Sequence, residues 1–274
     1  MRQFKHQTVL VTGAAAGIGR GLCLALCRHG AWVYAADIQE DKLEELEAAA
    51  TGPGSITPVA LDVSNAGQFE ETFARILEDH ETLDLVINNA GIVVGGDFRD
   101  TGLDEIERIT EINYWGVMYG TKLAYDIMTE QRQGHIVNVA SPAGVMPVPL
   151  STAYSATKHA VVGLSHSLRE EAALYGVKVS TVMPGMVKSE LWEHAINAGD
   201  YDYKEEMEKT SLSQITAEQA AKEILKGIAR NQRDIIFPRV NKAIVEAYRR
   251  MPELMTPVVT RPLLKSLKES LKSD

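Results

Sequence analysis

Short apolar runs alternate with longer amphipathic stretches along most of the chain. Thr8-Val9-Leu10-Val11 is apolar and β-branched and ends at Thr12-Gly13, so it predicts a buried strand; a helix follows from about Gly17 to His29. Trp32 to Ala36 predicts a second strand, ending at Asp37. Asp41 to Ala50 has helical spacing and stops at the breaker cluster Thr51-Gly52-Pro53-Gly54. Ile56 to Leu61 predicts a third strand. Ser64 or Asn65 can cap the next helix, which carries Phe69, Phe73, Ile76 and Leu77. Leu83 to Ile87 predicts a fourth strand, running into Asn88-Asn89-Ala90-Gly91. A long helix over Leu103 to Glu130, a fifth strand over His135 to Val139 and a second long helix over Thr152 to Leu174 come next. Val177 to Met183 and Asp234 to Phe237 predict the sixth and seventh strands.

Strands separated by long helices imply an α/β fold with a parallel sheet covered on both faces, doubly wound by right-handed crossovers. No linker-like shift in composition and no internal repeat divides the chain. Residues 1–238 read as one domain, with 239–274 as a C-terminal extension of it.

Composition narrows the function classes. The chain has 274 residues, is 45% hydrophobic and carries a net charge of −9, which argues against nucleic acid as a partner. Cys23 and Cys27 are four apart on a predicted helix and read as small packing residues. No apolar run reaches the length of a membrane span. Arg2 and Lys5 precede the apolar stretch from Thr8 to Ala16, which faintly imitates a signal peptide, but cleavage there would destroy the glycine motif described next. A cytoplasmic location is the expectation.

Thr12-Gly13-Ala14-Ala15-Ala16-Gly17-Ile18-Gly19 joins the first strand to the first helix. Glycines there let the backbone turn tightly and approach a pyrophosphate at the positive end of the helix. The bland reading is a tight turn with no ligand. Asp37 lies about 20 residues further on, where a carboxylate can accept hydrogen bonds from ribose hydroxyls and repel a 2′-phosphate. It could also cap the segment after it. Ala16 and Ile38 offer no cation for such a phosphate, which favours NAD (NADH) over NADP. Asp62-Val63 and Asn88 to Gly91 follow the third and fourth strands, at the end of the sheet where ligands bind.

Tyr154 and Lys158 are four apart on a helix and so share a face. An ammonium near a phenol favours phenolate and would lower the tyrosine pKa, making Tyr154 a general acid or base. The bland reading is a surface pair. Ser141, at the end of the fifth strand, could hold a substrate oxygen. His135, His159 and His166 form no ligand cluster, and no metal is expected.

With these elements in order, the chain resembles the short-chain dehydrogenase/reductase family, in its shorter single-domain branch, over about Gln7 to Phe237. The carriers are the Thr12–Gly19 turn, Asp62, Asn88 to Gly91, Asn113, Ser141, Tyr154-x3-Lys158 and Pro184-Gly185. The resemblance implies a Rossmann-like sheet of order 3-2-1-4-5-6-7 and hydride transfer between a nicotinamide and an alcohol or carbonyl. It implies that Tyr154 donates or accepts the hydroxyl proton, Lys158 binds the nicotinamide ribose and tunes Tyr154, and Ser141 orients the carbonyl. Asn113 would hold a water relaying protons to Lys158. Gly13, Ala15, Gly17, Ile18, Gly19, Asp37, Ile38, Asp62, Val63, Asn89, Ala90, Gly91, Pro184, Gly185 and Val187 would contact the cofactor, Val187 through its backbone. Ser189 stands where many relatives carry threonine and keeps the hydroxyl. A homodimer or homotetramer is the expected assembly.

The substrate pocket is expected between Ser141–Leu150, Val93–Val94 and the segment after Gly185. Pro142, Val145, Met146, Pro147, Val148, Pro149 and Leu150 are apolar, as are Trp192, Ile196 and Met207 in a loop that also holds Tyr201 and Tyr203. This favours a small hydrophobic secondary alcohol or ketone. A 3-oxoacyl thioester is the rival substrate, and a non-catalytic dinucleotide sensor the rival function. From Arg239 onward the net charge is +4, against −13 before it. Val240, Ile244, Tyr248 and Met251 make one helical stripe, and Leu263, Leu264, Leu267 and Leu271 another, beside Lys265, Lys268 and Lys272. Pro252, Pro257 and Pro262 are expected to break the segment into pieces. Packing on the same or a neighbouring subunit is favoured over contact with a membrane surface.

Overall fold

The computed structural model describes residues 4–188, 191, 195–199, 201–205 and 214–270, the last five of these by backbone alone. Its centre is a seven-stranded parallel sheet. The strands are β1 (Thr8–Thr12), β2 (Trp32–Asp37), β3 (Ser55–Ala60), β4 (Leu85–Asn88), β6 (Gly134–Val139), β7 (Val177–Pro184) and β9 (Asp234–Phe237). Two short strands, β5 (Val94–Gly95) and β8 (Ile196–Asn197), pair apart from it. The order β3-β2-β1-β4-β6-β7-β9 is the expected 3-2-1-4-5-6-7 once those two are set aside. The fold is Rossmann-like.

β1 shows why its central residues are all apolar. Val9 and Val11 face one layer, with Leu22 and Leu26 of α1 (Gly17–Arg28) and Ile224 and Leu225 of α7 (Ala217–Ala229). Leu10 faces the other, with Phe69, Phe73 and Ile76 of α3 (Ala66–His80) and Met128 of α5 (Gly116–Gln131). A strand covered on both faces has no polar side to alternate with. Cys23 and Cys27 are free and buried in the first layer, as packing residues should be. Asn65, not Ser64, caps α3, accepting from the Gly67 and Gln68 amides. Among the described residues, the remaining α-helices before the tail are α2 (Glu40–Ala48), α4 (Leu103–Thr110) and α6 (Thr152–Ala173).

Three expectations need correction. The single helix over Leu103 to Glu130 is interrupted by a π turn at Glu111–Trp115, between α4 and α5. A helix the sequence reading did not assign, α7, lies on α1. Thr216 caps it, and its buried face is built partly of Ala220 and Ala221, which blur the apolar period. Finally, the prolines break the tail once and not three times. α8 (Arg239–Arg250) ends before Pro252, and α9 (Pro252–Ser270) continues through Pro257 and Pro262. Pro252 occupies a first turn, where its missing N–H costs nothing. Beside the other two, the Thr256 and Thr260 hydroxyls donate to the carbonyls of Pro252 and Thr256.

The tail stripes also differ from expectation. Val245 is fully buried, while Val240 and Met251 are about half exposed. α8 is tied to its own sheet: Arg249 donates to Asp234 of β9 at 2.9 Å, and the same carboxylate meets His166 at 2.7 Å. Leu254 and Val258 of α9 are exposed. Leu271 and Lys272, and the side chains of Leu267 and Lys268, lie outside the described residues.

Candidate active site

Every predicted site residue lies at the carboxyl edge of the sheet or on an element facing it. The turn after β1 is held in shape from within. Gly13 and Gly17 have φ of +65° and +51°, backbone that favours glycine. A Cβ on Gly13 would lie 2.8 Å from the Ala90 Cα, and one on Gly19 would overlap the Gly13 carbonyl oxygen. The first turn of α1 has neither a side-chain cap nor an acidic residue, so its positive end faces the turn uncompensated. This cradle fits the pyrophosphate of a dinucleotide.

Asp37, at the end of β2, does not cap the next helix, whose N-cap is Gln39 with no side-chain cap. One carboxylate oxygen accepts from the Ala15 amide and the other from the Gln39 amide, both at 3.1 Å. It thus ties the glycine turn to β2, and it is only partly buried, so it can still accept from ribose hydroxyls. Ile38 projects into solvent. Asp62 accepts from the Ser64 amide and hydroxyl, and its side chain is exposed. Val63 is buried against Gly116 of α5. Asn89 is spent on the scaffold: its amide donates to the Thr12 and Gly13 carbonyls at 2.9 and 3.1 Å. The Thr12 hydroxyl accepts from the Asn89 and Ala90 amides, so β1 and β4 are stapled together at the crevice. That role of Thr12 was missed in the sequence.

Asn113 sits fully buried in the π turn. Its side chain accepts from the Ile92 amide at 2.8 Å and donates to the Ile92 carbonyl at 2.9 Å. The side chain thus clamps the segment after Gly91. Single π turns recur at functional sites, because the extra residue re-aims the helix. Here it brings Asn113 within 3.0 Å of where a Cβ on Gly91 would stand, with Lys158 Nζ at 3.5 Å from the same point.

Ser141, Tyr154 and Lys158 come together as predicted. Ser141 follows β6, and its hydroxyl, near Tyr154, accepts from the Ala143 amide at 3.2 Å. Lys158 Nζ lies 5.6 Å from the centre of the Tyr154 ring and donates to the Val139 carbonyl at 3.0 Å. The pKa shift of Tyr154 runs opposite to the expected one. Burial raises it, the neighbouring Ser141 hydroxyl opposes this and nearby Tyr203 adds to it. The same dry surroundings lower Lys158 to about 8. At neutral pH the phenol is protonated and most of the amine is charged.

A consequence for stability follows. A buried ammonium with a lowered pKa costs stability below about pH 8, and the cost fades as pH rises toward 10.5. Lys158→Met should therefore be more stable than the parent at pH 7 by roughly 1–3 kcal/mol, after the Val139 carbonyl loses its donor. The gap should shrink by pH 10. Denaturant unfolding at both pH values checks this, and a variant less stable at pH 7 would refute it.

The pocket beside Tyr154 is lined by Ile18, Pro142, Ala143, Met146, Val148, Pro184, Gly185, Met186, Val187 and Leu191, with Tyr203 and Asn241. Val93 and Val94 are corrected: they are buried, and Val94 pairs with Ile196 away from the pocket lining. Val187 bridges Ile215 through the backbone of Met186 and Lys188. Gly185 donates to the Phe237 carbonyl at 2.7 Å. Ser189, Trp192 and Met207 lie outside the described residues. Asn241 had no signal in the sequence. His135 is buried against Ser180, and burial lowers it to about 3; His159 bonds the Ser155 carbonyl. All three histidines are structural.

The family model for short chain dehydrogenases matches residues 7–198. A dehydrogenase/reductase SDR family protein 7-like from Anopheles gambiae is 33% identical over 244 residues, covering 86% of this chain and 76% of that protein. The 3-oxoacyl-[acyl-carrier-protein] reductase FabG of Thermotoga maritima is 31% identical over 192 residues, covering 70% and 78%. The crystal structure of a short chain dehydrogenase/reductase from Burkholderia phymatum in complex with NAD superposes with a TM-score of 0.84 at 26% identity, covering 93% of this chain and 96% of that one. The stapled glycine turn, the Ser141–Tyr154–Lys158 cluster and these matches agree, and the chain belongs to the short-chain dehydrogenase/reductase family of oxidoreductases.

Proposed function

We propose that the protein transfers hydride between NAD(H) and a hydrophobic secondary alcohol or ketone, with Tyr154 as general acid and base. The observation that carries this reading is the convergence of Ser141 and Tyr154 on one apolar pocket beside the glycine turn, with Lys158 Nζ 5.6 Å from the centre of the Tyr154 ring. A bound nicotinamide would supply or accept the hydride. Gly13 to Gly19 would cradle its pyrophosphate, Asp37 the adenosine ribose, Lys158 the other ribose, and Val187 the carboxamide. In reduction, the Tyr154 hydroxyl gives its proton to the substrate oxygen as charge grows there. Ser141 donates a second hydrogen bond to that oxygen. Lys158 stabilises the phenolate left behind. Asn113 holds Ile92, and with it the backbone that passes the nicotinamide site.

A protonated Tyr154 is ready to donate, which suits the reductive direction at neutral pH. Oxidation needs the phenolate, so its rate should rise with pH. The test is a panel of alcohols and ketones followed by NADH absorbance. Turnover confined to apolar ketones and secondary alcohols is expected. Activity on polyols alone would overturn the substrate class, and binding of NADH without any turnover would favour a dinucleotide sensor. The similarity to a 3-oxoacyl-[acyl-carrier-protein] reductase supports a second reading, a 3-oxoacyl thioester as substrate.

The NAD of the Burkholderia complex and the carboxylate of Asp37 both support NAD over NADP. Asp37→Ala should weaken NADH binding about tenfold, as a charge-assisted bond of roughly 1.5 kcal/mol is lost, and gain tolerance for NADPH. Fluorescence titration with both nucleotides checks this. Parent protein that binds NADPH more tightly than NADH would sink it.

A further inference from the structure

Among the described residues, four polar side chains line the pocket: Ser141, Tyr154, Tyr203 and Asn241. Three are engaged within the protein. Ser141 accepts from the Ala143 amide and neighbours Tyr154, and Tyr203 shares a 3.2 Å bond with Ser151, the residue just before the catalytic helix α6. The Asn241 carboxamide has no hydrogen-bond partner among the described residues. It is nevertheless firmly placed. It stands in the first turn of α8, immediately after β9, and its amide lies across the Cα of Gly185. A Cβ on Gly185 would be 2.6 Å from Asn241 Nδ2 and 2.9 Å from Oδ1. Gly185 is itself pinned to the Phe237 carbonyl. The amide is half-buried, beside apolar Pro142, Met186 and Val187. A partly desolvated amide with unused donors costs free energy unless something in the pocket satisfies it.

We propose that Asn241 is a specificity-determining residue, whose carboxamide hydrogen-bonds a second oxygen of the substrate while Ser141 and Tyr154 hold the reacting one. This rests on the oxidoreductase reading above and narrows it. The preferred substrates are apolar ketones and alcohols with a further carbonyl or hydroxyl oxygen, and the segment after β9 completes the site by delivering their recognition group.

The test compares ethyl 3-oxooctanoate with 2-decanone, which lacks a second oxygen. In Asn241→Ala, the KM for the keto ester should rise about 3- to 10-fold, the value of one neutral hydrogen bond. Its kcat, the KM for 2-decanone and the NADH dissociation constant should stay within twofold. Asn241→Leu, which fills the space and removes only the hydrogen bond, should behave alike and guards against a packing effect in the alanine variant. Equal losses for both ketones, or no loss for either, would overturn the proposal. A raised NADH dissociation constant would assign Asn241 to the cofactor and overturn it equally. If the parent protein reduces neither ketone, the oxidoreductase reading fails separately. Asn241 is then judged by calorimetric titration of the keto ester in the presence of NADH. Weaker binding to the variants supports its role, and binding that is absent or equal in parent and variants removes it.

Discussion

Tyr154→Phe should lower kcat by ~10²–10⁴-fold on every substrate the parent uses, with NADH affinity nearly unchanged. The substitution removes one hydroxyl and keeps the ring, so the packing of α6 and the position of Lys158 survive. What is lost is the proton donor to the substrate oxygen and one of two hydrogen bonds to it. Ser141 remains, which is why some turnover persists. Lys158→Ala should differ in kind, raising the NADH dissociation constant and lowering kcat together, because the amine serves both ribose and phenolate. The pH profile separates the roles further. In the parent, reduction should fall above about pH 8 as Lys158 loses its charge, whereas the residual rate of Tyr154→Phe should be flatter. Stopped-flow reduction and NADH fluorescence measure these quantities. Near-normal turnover in Tyr154→Phe would remove Tyr154 from the mechanism.

The sequence carried the sheet because each buried strand is a local signal. Val9 to Val11 and Leu85 to Ile87 are apolar over their whole length and Ile136 to Val139 is so except for Asn138, as suits strands covered on both faces, and glycine or polar turns punctuate them. The catalytic cluster was readable for a similar reason: Tyr154 and Lys158 share one helix face. What escaped depended on contacts distant in sequence. Nothing near Asn241 marks it, because its place is set by Gly185, 56 positions earlier. The π turn that aims Asn113 is one inserted residue in an otherwise regular apolar period. Asn89 resembled a ligand residue, yet its amide is taken up by Thr12 and Gly13, whose proximity only the β1–β4 pairing creates. The sign of the Tyr154 shift could not be read from Lys158 alone, since burial acts on both groups and is the largest cause for each.

Gly19→Ala should abolish measurable NADH binding and destabilise the protein by ~1–3 kcal/mol, the usual cost of an extra methyl group in a packed site. Alanine is the better helix former, so propensity alone predicts the opposite sign. Space decides against it. The added Cβ would overlap the Gly13 carbonyl oxygen and lie 2.8 Å from Asn89 Nδ2. Neither neighbour can yield cheaply. The Gly13 carbonyl is backbone, bonded by Asn89 at 3.1 Å, and Asn89 also holds the Thr12 carbonyl at 2.9 Å. Moving them apart unstaples β1 from β4 and opens the turn that must close on the pyrophosphate. Gly163→Ala supplies the contrast. That glycine lies inside α6, is exposed, and a Cβ there would meet nothing within 4 Å. It should gain ~0.5–1 kcal/mol from helix propensity and leave NADH binding unaltered. Thermal unfolding and NADH titration of the two variants together test the argument. Normal NADH affinity in Gly19→Ala would show that the close contact of helix and turn is not what shapes the cofactor cradle.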